Sequence, residues 1–492
     1  MSVDWPILTL GDVCETITDG AHNSPKSVVG GKPMASVKDL TRFGVDLSKA
    51  RLIAVGEFDK LVKQGCQPEV GDVLIAKDGN SALDTVCTVD EPLDAVMLSS
   101  VAILRPDKTK LDADFLKYYF NSKQVIDYLK GNFISGAAIP RVVLKDFRRA
   151  EIKVPPLDVQ KDISKKLRML DDKIELNRET NQTLEHMAQA IFKSWFVDFE
   201  PTRAKIAAKE EWAKRSMTAK AGASDDHIKA SQAEAIFVER AAMAAISGRA
   251  TDSTNDSDAG ALAGLDQLNP EQIQQLKTTA ALFPDALVDS ELGEIPLGWE
   301  VKLNGDVMDV RDGTHDSPKQ SEVGFPLVTS KHITSGVLDI KSAYLISKED
   351  YESVNKRSKV NQGDILLTMI GTVGMSYLVM QSDVNFAIKN VALFRTSEHK
   401  ELKNYFYLLL KSPLMKEYLD ARMAGTTQKY LSLKTLRSID MLMPTAALLD
   451  AFNNITNPLL DKVFAALEEN EYLSSIRGSL LPKLLAGELK AT

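Results

Sequence analysis

"DGAHNSPK", residues 19–26, returns as "DGTHDSPK", residues 312–319, so that a chain of 492 residues carries nearly the same eight residues twice, 293 positions apart. The likeness extends well beyond the octapeptide. "WPILTLGDV" from Trp5 parallels "WEVKLNGDV" from Trp299, and "GGKPMASVKDL" from Gly30 parallels "VGFPLVTSKHI" from Val323. "VGDVLIAKDGN" from Val70 parallels "QGDILLTMIGT" from Gln362, and "SGAAIPRVVLKDFRRAEIKVPP" from Ser135 parallels "AGTTQKYLSLKTLRSIDMLMPT" from Ala424, now at an offset of 289. Small changes of offset between blocks mean short loop insertions between fixed elements, and a repeat of this length means a duplicated domain.

Within each copy, "GDVLIA" and "GDILLTM" read as buried strands entered through a Gly-Asp turn. "AVMLSSVAILRP" and "NFAIKNVALFRT" read as further strands. "DADFLKYYFNSKQVIDYLK" and "ELKNYFYLLLKSPLMKEYLD" read as one or two amphipathic helices with aromatic faces. Each copy is therefore expected to be an α+β domain. "GTVG" at 371–374 lies between two apolar strands and reads as a tight hairpin turn.

A long helical stretch follows each copy. In the first, Ile163, Leu167, Leu170, Ile174, Asn177, Asn181, Leu184, Ala188, Ile191 and Trp195 fall at alternating spacings of four and three. In the second, Phe452, Thr456, Leu459, Val463, Ala466, Asn470, Leu473, Arg477, Leu480 and Leu484 repeat the pattern 289 residues later. Sustained alternation of this kind is the seam of a coiled coil, and a seam Asn fixes register at a cost in stability. The other possibility is that each helix packs only on its own globular copy, with the Asn facing water. Spacing alone does not give parallel or antiparallel pairing. An antiparallel pair would set the two globular domains at opposite ends about a pseudo-two-fold axis, on a rod of roughly 50 Å.

The division expected is residues 1–156, a first globular copy; 157–199, a long helix; 200–289, an Ala- and charge-rich linking segment; 290–445, the second copy; and 446–492, the second helix. In the linking segment "RATDSTNDSDAGALAG" has the composition of a flexible linker. Asn269-Pro270 reads as the start of a helix, with Asn as cap and Pro in the first turn.

Composition narrows the function classes. Three separate cysteines, Cys14, Cys66 and Cys87, argue against a disulfide framework and a Cys-based zinc site, and suit a cytoplasmic setting. No apolar run reaches the roughly 18 residues of a membrane span, so no membrane association is expected. The net charge is −8, whereas a nucleic-acid binder usually carries a basic surplus. Residues 1–156 hold 20 Lys+Arg against 21 Asp+Glu, and residues 290–445 hold 19 against 19. The sequence contains no GxxxxGK[ST], HExxH, GxSxG or Asn/Asp-Pro-Pro-Tyr/Phe, and its six histidines show no ligand spacing. The chain is read as non-catalytic by itself, with no bound metal or cofactor.

Taken together, these features resemble the specificity (S) subunit of type I restriction-modification enzymes, over almost the whole chain. "PLDVQKDISKKLRMLDDKIELNRETNQTLEHMAQAIFKSWFVDFEP" looks like that family's central conserved region, "DSELGEIPLGWEV" like the approach to its second target-recognition domain, and "SSIRGSLLPKLLAGEL" like its C-terminal ending. The resemblance implies two target-recognition domains, each reading one half of a bipartite asymmetric site on double-stranded DNA, on two conserved helices packed as an antiparallel coiled coil that sets the spacer. It implies docking of two modification (M) subunits, which methylate adenine from S-adenosylmethionine, and of restriction (R) subunits, which use ATP and Mg²⁺. The sequence departs from the pattern in its long acidic linker and in recognition domains without net positive charge. The alternative is a coiled-coil scaffold whose heads bind protein.

For a DNA reader, two loop sets are the candidates in each copy. The octapeptides supply His22, Ser24 and Lys26, and His315, Ser317 and Lys319; Lys38 and Lys331 align nearby. Two halves that read different sequences should differ where they touch bases, so the repeated residues lean toward architecture. The segment before each long helix supplies Arg141, Lys145, Arg148 and Arg149 in the first copy, and Gln428, Lys429, Lys434 and Arg437 in the second. Lys145 and Lys434 are equivalent and suit phosphate contacts, which position without specifying. Arg141 differs from Gln428 and Lys429, as base readers would: Arg favours guanine and Gln adenine. Lys356, Arg357 and Lys359 form another basic cluster, read as a solvated face.

Overall fold

A computed structural model describes residues 5–79, 82–135, 140–219, 227–248, 268–334, 336–425 and 429–488. The chain divides into two compact units, residues 1–179 with 466–492, and residues 180–465. Each of the two long helices, Leu157–Phe196 and Ala446–Leu485, contributes to both units.

In the first unit, a four-stranded sheet is built on Val101–Pro106, which pairs antiparallel with Cys14–Asp19 on one side and with Val73–Ala76 on the other. Val73, Leu74, Ile75 and Ala76 are all buried, so this strand reads as an unbroken apolar run rather than an alternation. Its turn is held by Asp72, which receives two hydrogen bonds from Arg105 at 2.8 and 2.9 Å. A three-stranded sheet joins Ser27–Ala35 to Arg51–Ile53 and, in parallel, to Val96–Met97. Two helices, Ala113–Phe120 and Lys123–Phe133, pack their aromatic side on the first sheet, in one cluster with Ile163, Leu167, Leu481 and Leu484 of the long helices.

The second unit repeats this plan. Val391–Phe394 pairs with Val310–Asp312 and with Ile365–Thr368, and Phe325–Thr329 pairs in parallel with Ala387–Lys389. The "GTVG" turn joins Ile365–Thr368 to the antiparallel strand Ser376–Leu378, with Gly371 and Gly374 at positive φ. The two helices are Lys403–Lys411 and Pro413–Ala421, the second capped by Ser412, which accepts from the Met415 amide at 3.1 Å. Each copy is an α+β domain.

The linking segment in this unit forms helices Glu200–Ala219, His227–Ile246 and Pro270–Ala281. Asn269 caps the third, accepting from the Gln272 amide at 2.8 Å. The composition-based linker at 249–264 lies outside the described residues.

The long helices pair antiparallel in each unit. In the first, Lys173 meets Glu469 at 3.2 Å, and the Asn177 amide donates to Glu469 and Asn470 at 2.7 and 2.9 Å, while Asp171 pairs with Arg477. Residue numbers rise along one helix as they fall along the other. In the second unit Asn181 meets Val463, and Trp195 lies 5.7 Å from Phe452. All twenty expected seam positions are buried or half-buried, Leu184, Leu459, Leu473 and Leu480 among the latter. The helices pack on each other and on their heads alike: an aromatic cluster of Phe192, Trp195, Phe196, Phe452 and Tyr405 seats the second head.

Candidate nucleic-acid interface

The octapeptide loop leaves the end of a sheet strand in both heads, and two of its residues are fixed by the fold. A side chain at Gly20 would place its Cβ 2.1 Å from the Met97 carbonyl oxygen; at Gly313 the Ile388 oxygen would lie 2.2 Å away. Only glycine fits so close to neighbouring backbone. The preceding aspartates are anchors. Asp19 accepts from Lys77 at 2.6 Å, an ion pair with side chains 13% and 7% exposed. Asp312, 5% exposed, pairs with Arg357. Each carboxylate also holds the loop histidine: His22 Nε2 lies 3.1 Å from Asp19, and His315 Nε2 lies 3.0 Å from Asp312. The imidazoles themselves project outward, 76% and 66% exposed. The repeat of the octapeptide is thus mainly architectural at Asp and Gly, while the histidines are presented to solvent.

In the first head, consecutive residues Lys77 and Asp78 tie the two candidate loops together. Lys77 holds Asp19, its carbonyl accepts from the Val142 amide at 3.0 Å, and Asp78 pairs with Arg141 at 3.3 Å. Arg148 donates to the Ile17 carbonyl at 2.9 Å, two residues before the octapeptide. Its counterpart Arg437 donates twice to Val310 O, at 3.1 and 2.7 Å. These two arginines clamp the helix start to the strand, a positioning role common to both heads. Lys145 and Lys434 are exposed on the short helices Leu144–Phe147 and Leu433–Arg437.

The second head keeps the frame and changes the groups on it. His315 Nδ1 lies 2.9 Å from the Asn390 side-chain oxygen, and Lys389 donates to Ser317. Lys319 and Lys429 are exposed, Tyr430 bridges to Ile370, and Gln428 lies outside the described residues. Arg357, from the basic cluster read as a solvated face, reaches the octapeptide through Asp312. Ser24, Lys26, Lys38 and Lys331 are exposed. Lys77, Asp78, Lys389 and Asn390 carried no signal in the sequence, because their role depends on which strand ends the fold brings together.

The thiols are chemically quiet. Cys14 and Cys87 are buried and pushed up to about 12 by desolvation, and burial raises Cys66 as well. No group of three His, Cys, Asp or Glu side chains disposed to hold a metal occurs among the described residues, and no helix there is long and apolar enough to cross a membrane.

Residues 2–186 and 296–457 match the sequence model of the type I restriction modification DNA specificity domain. The chain belongs to this DNA-specificity family. The two matched segments cover nearly all of each head, most of the first long helix and the start of the second. The HindI specificity subunit of a type I restriction enzyme from Haemophilus influenzae is similar, 28% identical over 99% of this chain and 100% of its own length. The MjaIX specificity subunit of Methanocaldococcus jannaschii is 25% identical over 77% of this chain and 69% of its own. A solved S subunit of a type I system from M. genitalium aligns over 98% of this chain and 96% of its own, at 14% identity and a TM-score of 0.49. As a member of the DNA-specificity family, the chain has a role in setting DNA-sequence specificity.

Proposed function

We propose that each head reads one half of a bipartite, asymmetric DNA site, and that the paired long helices set the spacer between the halves and dock the modification subunits. The observation that carries this reading is the contrast between the two loop clusters. The Asp-Gly frame, the histidine on its carboxylate and the Arg148 or Arg437 clamp recur. The groups around it differ: Lys77, Asp78 and the exposed Arg141 in one head, Arg357, Lys389 and Lys429 in the other. A shared frame presenting different donors and acceptors suits two readers of different sequences, because only the major groove distinguishes all four base pairs. Residues 1–156 and 290–445 would be the recognition domains, 157–199 and 446–492 the spacer helices, and 200–289 the tether.

The exposed lysines Lys26, Lys38, Lys145, Lys319, Lys331 and Lys434 would contact phosphates. Heads with balanced charge supply little non-specific attraction, so the modification subunits would provide much of the backbone grip. Methyl transfer from S-adenosylmethionine, and ATP- and Mg²⁺-dependent restriction, would belong to those partner subunits rather than to this chain.

The test exchanges the first head, residues 1–156, for that of a relative and maps methylated adenines across the host genome. A gapped two-part motif, altered in one part only, is expected. A motif that survives the exchange whole would show that the heads do not read DNA.

A further inference from the structure

In the first unit a single buried carboxylate joins four elements. Asp171, on the first long helix and 3% exposed, pairs across the helix interface with Arg477 of the second long helix. Lys117, from the head's helix Ala113–Phe120, approaches it at 3.8 Å, and Arg42, from the hairpin between Leu40–Thr41 and Gly44–Val45, at 3.9 Å. The side chains of Lys117 and Arg477 are 7% and 13% exposed. The same hairpin grips the helix again seven residues on, where the Arg178 guanidinium lies 4.6 Å from the ring of Phe43. Positions seven apart share one helix face. Along that face Gln160, Ser164 and Arg168 also bond to the head, Ser164 to Asp112 at 2.6 Å and Arg168 to Asp114 at 2.7 Å.

The duplication supplies its own control. Shifted by 289 residues, Asp171 corresponds to Leu460 and Arg477 to Ala188. Both are buried in the apolar cluster that seats the second head, at 2% and 0% exposure. At this position the joint of the second unit is therefore apolar, its head–helix ion pair Lys411–Glu185 at 2.9 Å lying elsewhere, and well-packed apolar groups commonly match or exceed a buried ion pair in stability. The charged version needs another reason. Apolar burial is non-directional, whereas a buried carboxylate bonded to Arg477, with Lys117 and Arg42 at 3.8 and 3.9 Å, keeps all three pairings only at one angle of the head.

We propose that Asp171 and Arg42 are positioning residues that fix the angle of the first head on the helix pair, and so determine how strictly the spacer between half-sites is measured. This rests on the bipartite reading above. The test uses the full chain with its modification partners in a host whose methylome is mapped. One variant, Arg42→Ala, removes an arm that is 29% exposed and leaves the helix core intact. The other combines Asp171→Leu, the second unit's residue at that position, with Arg477→Met and Lys117→Met, so that neither buried cation is left unpaired. Both should keep the two half-sequences of the motif. Methylation of sites whose spacer is one base pair longer or shorter should rise about tenfold relative to the unaltered chain, as expected for losing coupling within one charged network. A role in stability alone would lower methylation at every site without widening the spacer. Variants that fold, shown by an unchanged melting temperature, and still accept a single spacer length would overturn the proposal. Should the triple variant fail to fold, Arg42→Ala decides alone. Failure of the bipartite reading looks different: the unaltered chain would then show no gapped motif.

Discussion

Asn181 donates its side-chain amide to the carbonyl of Val463 at 3.2 Å. The contact recurs with the partners exchanged: Asn470, which stands 289 residues after Asn181, donates to Ile174, which stands 289 residues before Val463, at 3.3 Å. Each asparagine reads the main chain of the helix opposite, as an antiparallel pair in this register allows.

The amide donor at this position is what the contact requires. Asn181→Asp removes the donor and sets a carboxylate against a carbonyl, a loss of about 3 kcal/mol. Asn181→Leu removes the polar group entirely and should stay within about 1 kcal/mol of the parent. Urea unfolding of the two variants checks the contrast, and equal tolerance would mean that the contact to Val463 does not form.

The glycines of the octapeptides admit no side chain. Gly20→Ala drives a Cβ into the Met97 carbonyl and Gly313→Ala into that of Ile388, both main-chain atoms that cannot swing away. Each substitution should cost about 3 kcal/mol or more. The loss should be confined to its own head, so hydrogen exchange should accelerate at the amide of position 20 for the first and of position 313 for the second, which donate to the Val101 and Val391 carbonyls. Exchange that stays slow in either head would contradict the close approach.

Much of this was legible in the residues. The duplication, the strand after each Gly-Asp turn, and the four-three seam are written in local periodicity, and periodicity depends only on neighbours along the chain. The Asn269 cap was legible for the same reason. The seam was silent in one respect: the equivalence of Asn181 and Asn470 does not disclose that each bonds to backbone, since that depends on the antiparallel register. The loop clusters were half legible. His22 and Lys145 stand out as exposed polar groups at turns, but Lys77 lies inside an apolar strand pattern and Arg357 inside a charge run. Their partnership with the Asp-Gly loop exists only once strands far apart in sequence are neighbours.

The second head carries a histidine-linked pH dependence. Asp39 and His332 hold equivalent places, each accepting from the main-chain amide three residues earlier, Ser36 at 2.7 Å and Thr329 at 2.9 Å. Burial lowers the His332 pKa below its ordinary value of about 6.5, with Lys331 adding to the effect. The unfolded chain therefore takes up the proton first. The contribution to stability is fully present above about pH 6.5 and is lost as pH falls through that value toward the lowered one. The second head should melt earlier at pH 5 than at pH 7. His332→Asp, the first head's own residue, should remove that difference over this range; a melting curve equally acid-sensitive in the variant would place the titrating group elsewhere.

Phosphate and base contacts separate by their salt and sequence dependence. Lys145 and Lys434 occupy equivalent exposed positions beside arginines that clamp each helix start to its sheet, so removing either charge leaves the fold intact. Lys145→Ala and Lys434→Ala should each weaken binding to cognate and unrelated duplexes by the same factor, and reduce the slope of log affinity against log salt by about 1. Arg141 differs between the heads and is held at the loop edge by Asp78. Arg141→Ala should instead cost about 1–3 kcal/mol on the cognate duplex, relax selectivity at one position of one half-site, and leave unrelated duplexes nearly unaffected. Binding of the assembled complex to a panel of single-base variants over a range of salt distinguishes the two behaviours. A uniform loss for Arg141→Ala would move it to the phosphate class and leave base reading in the first head to the outward face of the octapeptide loop around His22.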